Sequence, residues 1–484
     1  MRLRPTAQAA DRLARHGAAS ITCPRLGSRV AGMSQQLDYR TALDAAYRLA
    51  ASHLDGIGDQ RVAHPRVPDA PSPPDGIGFD AALALVAERI YPWISASPGP
   101  RYLGYVTGGV TPEAIAADWL VSAWDQNVSN AAGSIAADVE SRTVAAFREA
   151  FGLAPSMHGQ FVSGATAANL VCIATAREWA SRQSNTPLTV FAGSAHSSIL
   201  KAMSITGIGR SRLQAVATLP GRTAVDPQAL EQALAAHSNG PAVVVASTGE
   251  VNTGDFDDLV RVAELCKRYQ AWLHVDGAFG LFAAFDADLR TRVAGVEHAD
   301  SVTVDLHKWL NVPYDSAIAY TSRPDLQREV FSASAAYLGD DPDPLHFTPE
   351  NSRRFRAFPA WMVLATRGSR GIGEWVGANC RLARQFGQAI TATGRFEVLG
   401  GIPLNIVSFT LARGSAPERD EFLRRLNASG ETFMTPGQLF GRPTVRAAFS
   451  NWATSPKDLD RIIAAVVGSV DGSPSHPLGA PQPM

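Results

Sequence analysis

Lysine and cysteine are both scarce in this chain of 484 residues. Lysine supplies only four of the 44 basic residues, and arginine supplies the rest. The four cysteines are far apart and show neither paired metal-ligand spacing nor a dense disulfide pattern, so no metal site is expected and a reducing compartment is favoured. The lysines are Lys201, Lys267, Lys308 and Lys457, and the cysteines are Cys23, Cys172, Cys266 and Cys380.

Long apolar runs and an excess of charge are also missing. No stretch approaches the length needed to cross a bilayer, and the N-terminus lacks the apolar core of a secretory signal. Lys and Arg total 44 against 45 Asp and Glu, so no positive excess is available for a nucleic-acid backbone or an anionic membrane. We therefore predict a soluble, cytoplasmic protein with neither partner.

The two ends of the chain differ in composition from the rest. Residues 1–32 carry many arginines and one acid, Asp11, which indicates a disordered extension or a misassigned start, with Met33 as a natural alternative beginning. A helical pattern follows over residues 39–54. Residues 61–77 are predicted to be an extended connection, and residues 471–484 a disordered tail.

Between these segments, short apolar runs alternate with longer amphipathic ones. This alternation, seen at residues 188–191, 242–246, 272–275 and 302–304, predicts an α/β sheet with parallel strands. After residue 373 the pattern changes to a long helix, strands at 396–399 and 406–410, a helix at 419–426 and a strand at 445–449, which indicates a smaller α+β domain. In parallel sheets, ligands bind beyond the carboxyl ends of the strands.

Two of these strand ends carry an acid and an amine. Asp276 directly follows the run at 272–275, and Lys308 lies just beyond the run at 302–304. The 32 positions that separate them (308 − 276) leave room for one crossover helix between neighbouring parallel strands. Unlike arginine, a desolvated lysine can lose its proton and attack a carbonyl carbon. Taken singly, a solvated lysine and a capping aspartate are the commoner explanations.

Pyridoxal phosphate needs both groups, because a lysine holds its aldehyde and a carboxylate keeps its ring nitrogen protonated. A charge pair about 4 Å apart at an effective dielectric of about 20 contributes roughly 4 kcal/mol. That energy corresponds to about three pKa units, enough to keep the ring nitrogen protonated near neutral pH.

Three further segments follow predicted strands. Ser163-Gly164-Ala165-Thr166 opens a helix, whose N-terminus can bind a phosphate. His196 could stack on a planar ligand, and Thr248 lies just past the run at 242–246. Each segment alone is more often structural: a capped helix, a loop histidine, a loop threonine.

Together these segments resemble the group II pyridoxal-phosphate decarboxylases, which include aromatic amino acid, histidine, glutamate and diaminobutyrate decarboxylases. The resemblance spans about residues 80–465 and is most specific at 307–315, His-Lys-Trp-Leu-Asn-Val-Pro-Tyr-Asp. It implies a fold type I, pyridoxal-phosphate-dependent transferase-like α/β architecture. Its parts would be an N-terminal helical segment (33–100), a large cofactor-binding domain (101–350) with a mainly parallel seven-stranded sheet, and a small α+β domain (351–470).

The resemblance also implies roles for individual residues. Lys308 would form the Schiff base with pyridoxal phosphate, Asp276 would bind the ring nitrogen, and His196 would stack on the ring. Tyr337 aligns with a loop tyrosine that reprotonates the substrate carbon after CO2 leaves, where aldehyde-forming relatives carry Phe. The other cofactor-binding residues would be Ala165 and Thr166 at the phosphate, Thr248 facing the Schiff base, Ala278 packed against the cofactor, and His307.

The chain departs from the family at some positions. Asp305 stands where some members place an Asn that contacts the phosphate, and a carboxylate cannot donate a hydrogen bond, so His307 is the alternative donor. Residues 124–130 are too polar to indicate an aromatic substrate. Arg446 matches an arginine that binds a substrate carboxylate in glutamate decarboxylases, but aromatic members share it. Arg446, Gln126 and Tyr105 are the predicted substrate contacts.

These inferences predict a homodimeric, pyridoxal-phosphate-dependent decarboxylase that converts an L-amino acid to its amine and CO2. Residues 126–129 would reach the neighbouring subunit's site. An aminotransferase, an aldehyde-forming oxidative decarboxylase or a carbon-carbon lyase would share Lys308 and Asp276 and stays open. A non-catalytic binding protein on this scaffold is the remaining alternative.

Overall fold

The computed structural model of the protein describes residues 37–130, 133–237, 240–333, 343–412 and 414–470. Tyr337, the predicted extension and the predicted tail lie outside these residues. One compact unit includes residues 37–55 and 66–94, and a second includes 56–65 and 95–470. The first unit contains helices α1 (Tyr39–Asp55) and α2 (Phe79–Leu85), followed by a π-helical turn (Val86–Ile90) and a 3-10 turn (Tyr91–Trp93). The predicted helix at 39–54 is thereby confirmed.

The second unit is built on a seven-stranded sheet, as predicted. Its order is β1-β7-β6-β5-β4-β2-β3, in which β2 to β6 pair in parallel and β7 runs antiparallel to both neighbours. Strands β4 to β7 are buried almost throughout, as expected for a sheet covered on both faces. The strands are β1 (His158–Val162), β2 (Thr189–Ala192), β3 (Leu213–Ala215), β4 (Ala242–Ser247), β5 (Trp272–Asp276), β6 (Ser301–Asp305) and β7 (Ala317–Thr321).

Helices precede or connect these strands. The longest of them, α5, begins directly after the turn that follows β1 and packs on β6 and β7. The helices are α3 (Pro112–Trp124), α4 (Ala136–Ala150), α5 (Ala165–Gln183), α6 (Ser197–Ile205), α7 (Pro227–Ala236), α8 (Leu259–Arg268), α9 (Leu306–Trp309) and α10 (Pro324–Phe331). None of the helices in the described part of the chain has the length and apolar character that crossing a membrane requires.

The prediction of a single crossover helix between Asp276 and Lys308 is wrong. Three short 3-10 segments connect β5 to β6, at Gly280–Phe285, Arg290–Val293 and Val296–His298. The first is buried at every position, and a Cβ at Gly280 would lie 2.2 Å from the Thr248 carbonyl oxygen. Tight turns fit this crowded space because tertiary packing, and not helix periodicity, sets the path of the chain.

A four-stranded antiparallel sheet in the order β10-β11-β9-β8 forms the C-terminal part. Its strands are β8 (Phe396–Leu399), β9 (Ile406–Leu411), β10 (Thr435–Leu439) and β11 (Arg442–Ala448), and its helices are α11 (Ala357–Ala392), α12 (Ala416–Ser429) and α13 (Pro456–Val470). The sequence pattern missed β10, which contains Pro436 and Gly437. As an edge strand, β10 tolerates a proline that cannot donate to the sheet.

A buried ion pair joins the segment before α11 to α4, and a hydrogen bond from the same arginine joins it to β1. Arg353 donates to Glu140 at 2.5 Å and to the Phe161 carbonyl at 2.7 Å, and both charged side chains are almost fully buried. We expect Arg353→Met to lower the free energy of unfolding by about 3–5 kcal/mol, because it leaves the Glu140 charge uncompensated. Urea unfolding would measure the change. Arg142→Met, which removes the exposed pair with Asp138, should leave stability nearly unchanged; equal losses would contradict the prediction.

Candidate active site

A cavity of about 470 Å³ lies at the carboxyl ends of the strands of the large sheet. Residues that follow β1, β2 and β6 contribute to its wall, and Arg446 of β11 also reaches it. Seven predicted site residues come together here although they are far apart in sequence. They are Tyr105, Ala165, Thr166, His196, His307, Lys308 and Arg446.

Lys308 is presented to the cavity by the short helix α9. Leu306 and Trp309 are fully buried, which leaves His307 and Lys308 as the partly exposed residues of this turn. The Trp309 indole N–H donates to Asn379 Oδ1 at 2.8 Å. A Cβ at Gly108 would lie 1.8 Å from the Lys308 carbonyl oxygen, so only glycine fits there. The Lys308 backbone is therefore held on both sides.

Asp276 ends β5 behind the cavity and is held by hydrogen bonds to both carboxylate oxygens. Asn169 of α5 donates to Oδ2 at 3.1 Å, and the Ala278 N–H donates to Oδ1 at 3.2 Å. Asp276 is 8% exposed. Asp276 and Ala278 are not among the residues that line this cavity.

Asn169 is the centre of a buried polar network. Its amide oxygen accepts from the Thr303 hydroxyl at 2.7 Å and lies 3.0 Å from His274 Nε2. Burial lowers the pKa of His274 to about 4, so the imidazole is neutral and Nε2 carries the donating proton. The Asn169 amide group also donates to the Ser198 hydroxyl at 2.9 Å. The rotamer of Asn169, and with it the Asp276 contact, is thereby fixed.

The same network reaches His196. The Ser198 hydroxyl lies 2.7 Å from His196 Nδ1, and the Ser198 N–H donates to that nitrogen at 3.2 Å. Nδ1 is therefore an acceptor, and the ring proton resides on Nε2. Burial lowers the pKa of His196, which keeps the imidazole neutral. A neutral planar ring thus forms one wall of the cavity.

The turn before α5 forms a cradle for an anion. Ser163, Gly164, Ala165 and Thr166 line the cavity, and the positive end of a 19-residue helix points toward it. A Cβ at Gly164 would lie 3.2 Å from the His307 ring, so glycine keeps this space open. The Ala165 N–H donates to Asp305 Oδ2 at 2.9 Å, which brings the unexpected carboxylate directly to the helix end.

Two predicted residues, Thr248 and Gln126, do not line this cavity, and Arg446, which does, is already hydrogen-bonded. Thr248 is fully buried outside the cavity lining, and its hydroxyl has no hydrogen-bond partner among the described residues, although its N–H donates to the Asp276 carbonyl. Arg446 donates to the Val251 carbonyl and, at 3.3 Å, to Thr435, and burial lowers its pKa to about 10. Gln126 lines a separate cavity of about 410 Å³ and donates to the Trp124 carbonyl.

The comparison with protein-family models decides the identity of this arrangement. The model of the pyridoxal-dependent decarboxylase conserved domain matches residues 66–412. The chain belongs to this family. The predicted family, fold and pyridoxal phosphate cofactor are thereby confirmed.

Named relatives agree with the family. The chain is 28% identical over 439 residues to the aromatic-L-amino-acid decarboxylase of Sus scrofa, covering 82% of this chain and 89% of that protein. It is 29% identical to the Drosophila simulans enzyme of that name, covering 55% of this chain and 52% of that protein. It is 31% identical to the histidine decarboxylase of Drosophila melanogaster, covering 55% of this chain and 32% of that protein. The chain thus matches about half of one fly protein and a third of the other.

Solved structures share the fold of this chain. Oryza sativa TDC with PLP and tryptamine superposes with a TM-score of 0.84 at 22% identity, covering 91% of this chain and 99% of that one. Rhodiola rosea 4-hydroxyphenylacetaldehyde synthase superposes with a TM-score of 0.81 at 21% identity, covering 91% and 100%. At these identities the similarity shows the fold and not the activity.

The residues of this site fit pyridoxal phosphate. Lys308 offers the amine for its aldehyde, the Gly164 cradle offers space and an N-terminal helix end for its phosphate, and Asp276 offers a carboxylate for its ring nitrogen. No group of three or more His, Cys, Asp or Glu side chains within the described ranges could hold a metal ion.

Sequence reasoning missed three residues of this site. Asn169 lies one helical turn after Ala165, a spacing that could have placed it on the same face of α5. Tyr314 lines the cavity with its ring centroid 4.2 Å from that of His307, and Thr107 lines it as well. Neither Tyr314 nor Thr107 follows a strand of the parallel pattern, so the rule of strand ends could not find them.

We expect Asn169→Ala to weaken cofactor binding and to destabilise the fold. Loss of the amide leaves His274 Nε2–H and the Thr303 hydroxyl without their acceptor, and an unsatisfied buried polar group costs about 1–3 kcal/mol. Thermal unfolding and titration with pyridoxal phosphate would measure both effects. Asn405→Ala, which removes a buried asparagine bonded to the Phe449 carbonyl, is the control. It should cost stability without changing cofactor affinity; unchanged affinity in Asn169→Ala would refute the positioning role.

Proposed function

We propose that this protein removes the carboxylate of an L-amino acid as CO2 and releases the amine, with pyridoxal phosphate bound at Lys308. One observation carries the proposal: a single cavity brings together Lys308, His196 and the helix-end cradle, with Asp276 fixed behind them. The family to which the chain belongs is one of decarboxylases.

Each residue has a task that follows from its surroundings. When bound, pyridoxal phosphate supplies an electron sink for the charge that develops on the substrate carbon. Asp276, fixed by Asn169 and the Ala278 N–H, presents a carboxylate that favours a protonated ring nitrogen. His196 offers a flat, neutral surface to a flat ligand. Lys308 offers its amine at the wall of the cavity.

We propose that Tyr337 returns the proton to the substrate carbon. This residue lies outside the described residues, and its role rests on its alignment with the family's loop tyrosine. A tyrosine favours simple decarboxylation because aldehyde-forming relatives carry Phe at this position. For the substrate, Arg446 and Tyr105 remain the proposed contacts within the cavity, and both line it.

A homodimer is part of the proposal. Trp124 and Trp361 are 45% and 40% exposed. The Trp361 ring stacks on Phe358, the Trp124 ring packs against Phe358 at a tilt, and Leu120 on the same helix as Trp124 is 40% exposed. An exposed aromatic cluster of this kind supports a subunit contact. Gln126 lies two residues beyond Trp124 in its own cavity, which supports the proposal that residues 126–129 serve the partner's site.

We also propose a cytoplasmic location. Cys172, Cys266 and Cys380 are buried and unpaired, which supports a reducing compartment.

A panel of L-amino acids incubated with the holoprotein would test the function. We expect at least one substrate to yield CO2 and amine in equal amounts, with little ammonia, aldehyde or 2-oxo acid. Amino transfer without CO2 would indicate an aminotransferase, and aldehyde with ammonia an oxidative decarboxylase. If no amino acid reacts and no adduct forms at Lys308, the binding-protein alternative would replace this proposal.

A further inference from the structure

Asp305 is a carboxylate in a place suited to an anion. It ends β6, is 1% exposed, and its Oδ2 accepts the N–H of Ala165 at the start of α5. The same residue lines the cavity beside Gly164 and His307. A charged Asp305 would compete with a phosphate oxygen for the Ala165 N–H and would repel the phosphate.

Two acceptor atoms face each other across this site. Asp305 Oδ1 lies 3.1 Å from His307 Nδ1, and the Ser316 N–H donates to that same nitrogen at 3.3 Å. A ring nitrogen that accepts an N–H carries no proton of its own. A bare carboxylate oxygen and a bare ring nitrogen repel at 3.1 Å, so this close approach favours a protonated carboxyl group at Asp305. Asp305 Oδ1 accepts no hydrogen bond from the described residues.

The surroundings favour retention of that proton. Burial raises the pKa of Asp305 to about 7 against the opposing charge of Lys308, and Asp276 on the neighbouring strand raises it further. Burial lowers the pKa of His307 to about 3, with Lys308 acting in the same direction and Asp315 against it. Of the two side chains, Asp305 is therefore the one that favours the protonated form, with His307 Nδ1 as an acceptor 3.1 Å from its Oδ1. Because its pKa is raised to about 7, the Asp305 carboxyl group is neutral below about pH 7 and ionises as the pH rises.

We propose that Asp305 and His307 hold one proton between them at neutral pH, and that this neutral pair forms a wall of the phosphate site at the start of α5. Phosphate binding then weakens as the pair loses its proton at higher pH. Asp305 is a positioning residue that sets the charge of the site, and the inference rests on the proposed use of pyridoxal phosphate at Lys308.

A titration of the apoprotein with two aldehydes would test the proposal. Pyridoxal has the ring and aldehyde of pyridoxal phosphate but no phosphate, so the pH effects of Lys308 and Asp276 cancel in the ratio of the two dissociation constants. The phosphate is itself doubly ionised above a pKa of about 6. From pH 7.5 to 9.5 we expect the preference for pyridoxal phosphate to fall by up to about tenfold per pH unit, the limit for loss of one required proton.

Asp305→Asn removes the titrating group, and its amide can donate to His307 Nδ1 as the carboxyl did. We expect the preference in this variant to vary less than about twofold over the same range. Asp315→Asn is the matched control, because it removes a neighbouring carboxylate bonded to Arg356 and should retain the wild-type slope. A flat wild-type ratio, or an equal slope in Asp305→Asn, would overturn the proposal.

Proton uptake gives a second measurement that needs no variant. Binding can be measured by calorimetry of the wild-type apoprotein at pH 8.5 in two buffers of different ionisation heat. We expect more protons to be taken up from the buffer when pyridoxal phosphate binds than when pyridoxal binds. Equal uptake would contradict the shared proton even if Asp305→Asn failed to fold. The outcomes also separate the two proposals. Tight binding with a flat ratio would reject only the proton pair, whereas no adduct at Lys308 would reject the proposed function.

Discussion

Lys308→Ala is expected to abolish covalent attachment of pyridoxal phosphate and to reduce decarboxylation to near the background rate. The amine at this position is the only lysine in the cavity lining of the described chain, and no neighbouring side chain there can replace it as the nucleophile. Lys308→Arg should be equally inactive, because a guanidinium keeps its proton at any working pH. Borohydride reduction followed by peptide mass spectrometry would locate the label, and a chain with four lysines makes its assignment unambiguous.

Lys201→Ala is the matched control for this experiment. Lys201 is an exposed residue of α6, so its removal should leave both the label and the activity unchanged. A label that persists in Lys308→Ala, or one that is lost in Lys201→Ala, would show that the amine has been assigned to the wrong residue.

Asp276→Asn is expected to lower the rate of decarboxylation by about a thousandfold. An ion pair about 4 Å long at an effective dielectric of about 20 contributes roughly 4 kcal/mol, and each 1.36 kcal/mol corresponds to a factor of ten. The asparagine keeps the shape of the side chain and removes the charge that favours a protonated ring nitrogen. Steady-state rates of CO2 release would measure the loss, and the pH dependence of the bound cofactor's absorbance would show the changed protonation.

Asp300→Asn tests whether any buried carboxylate of the sheet has the same effect. Asp300 accepts the Leu273 N–H at 2.8 Å and directly precedes β6. It therefore lies at the amino ends of the parallel strands, whereas Asp276 lies at their carboxyl ends. We expect this variant to retain most of the activity. Equal losses in the two variants would mean that Asp276 acts through stability and not through the cofactor.

The strand ends were predictable because their signals are local. Buried strands appear as short apolar runs, and polar residues directly beyond them at one edge of a parallel sheet must lie close together. Lys308, His196 and the turn at Ala165 were found in this way, and the cavity contains all three. The same rule could not detect β10, which contains Pro436, or the 3-10 segments between β5 and β6, whose path depends on packing against Thr248.

Asn169 shows why part of the site was hidden. An asparagine inside a helix has no distinctive sequence signal, and its importance follows from Asp276 and His274, which are more than 100 positions away along the chain. Only the packing of α5 on the sheet brings these groups within hydrogen-bonding distance.

By itself, the sequence determined the α/β pattern, the lysine and aspartate at neighbouring strand ends, and the presence of an aspartate at position 305. Only the tertiary structure decided what Asp305 does. It brings the carboxyl group to the Ala165 N–H and to a ring nitrogen that already accepts from Ser316. The physical reason is that strand periodicity is encoded in adjacent residues, whereas the protonation of a buried carboxyl group depends on burial and on atoms contributed by distant segments.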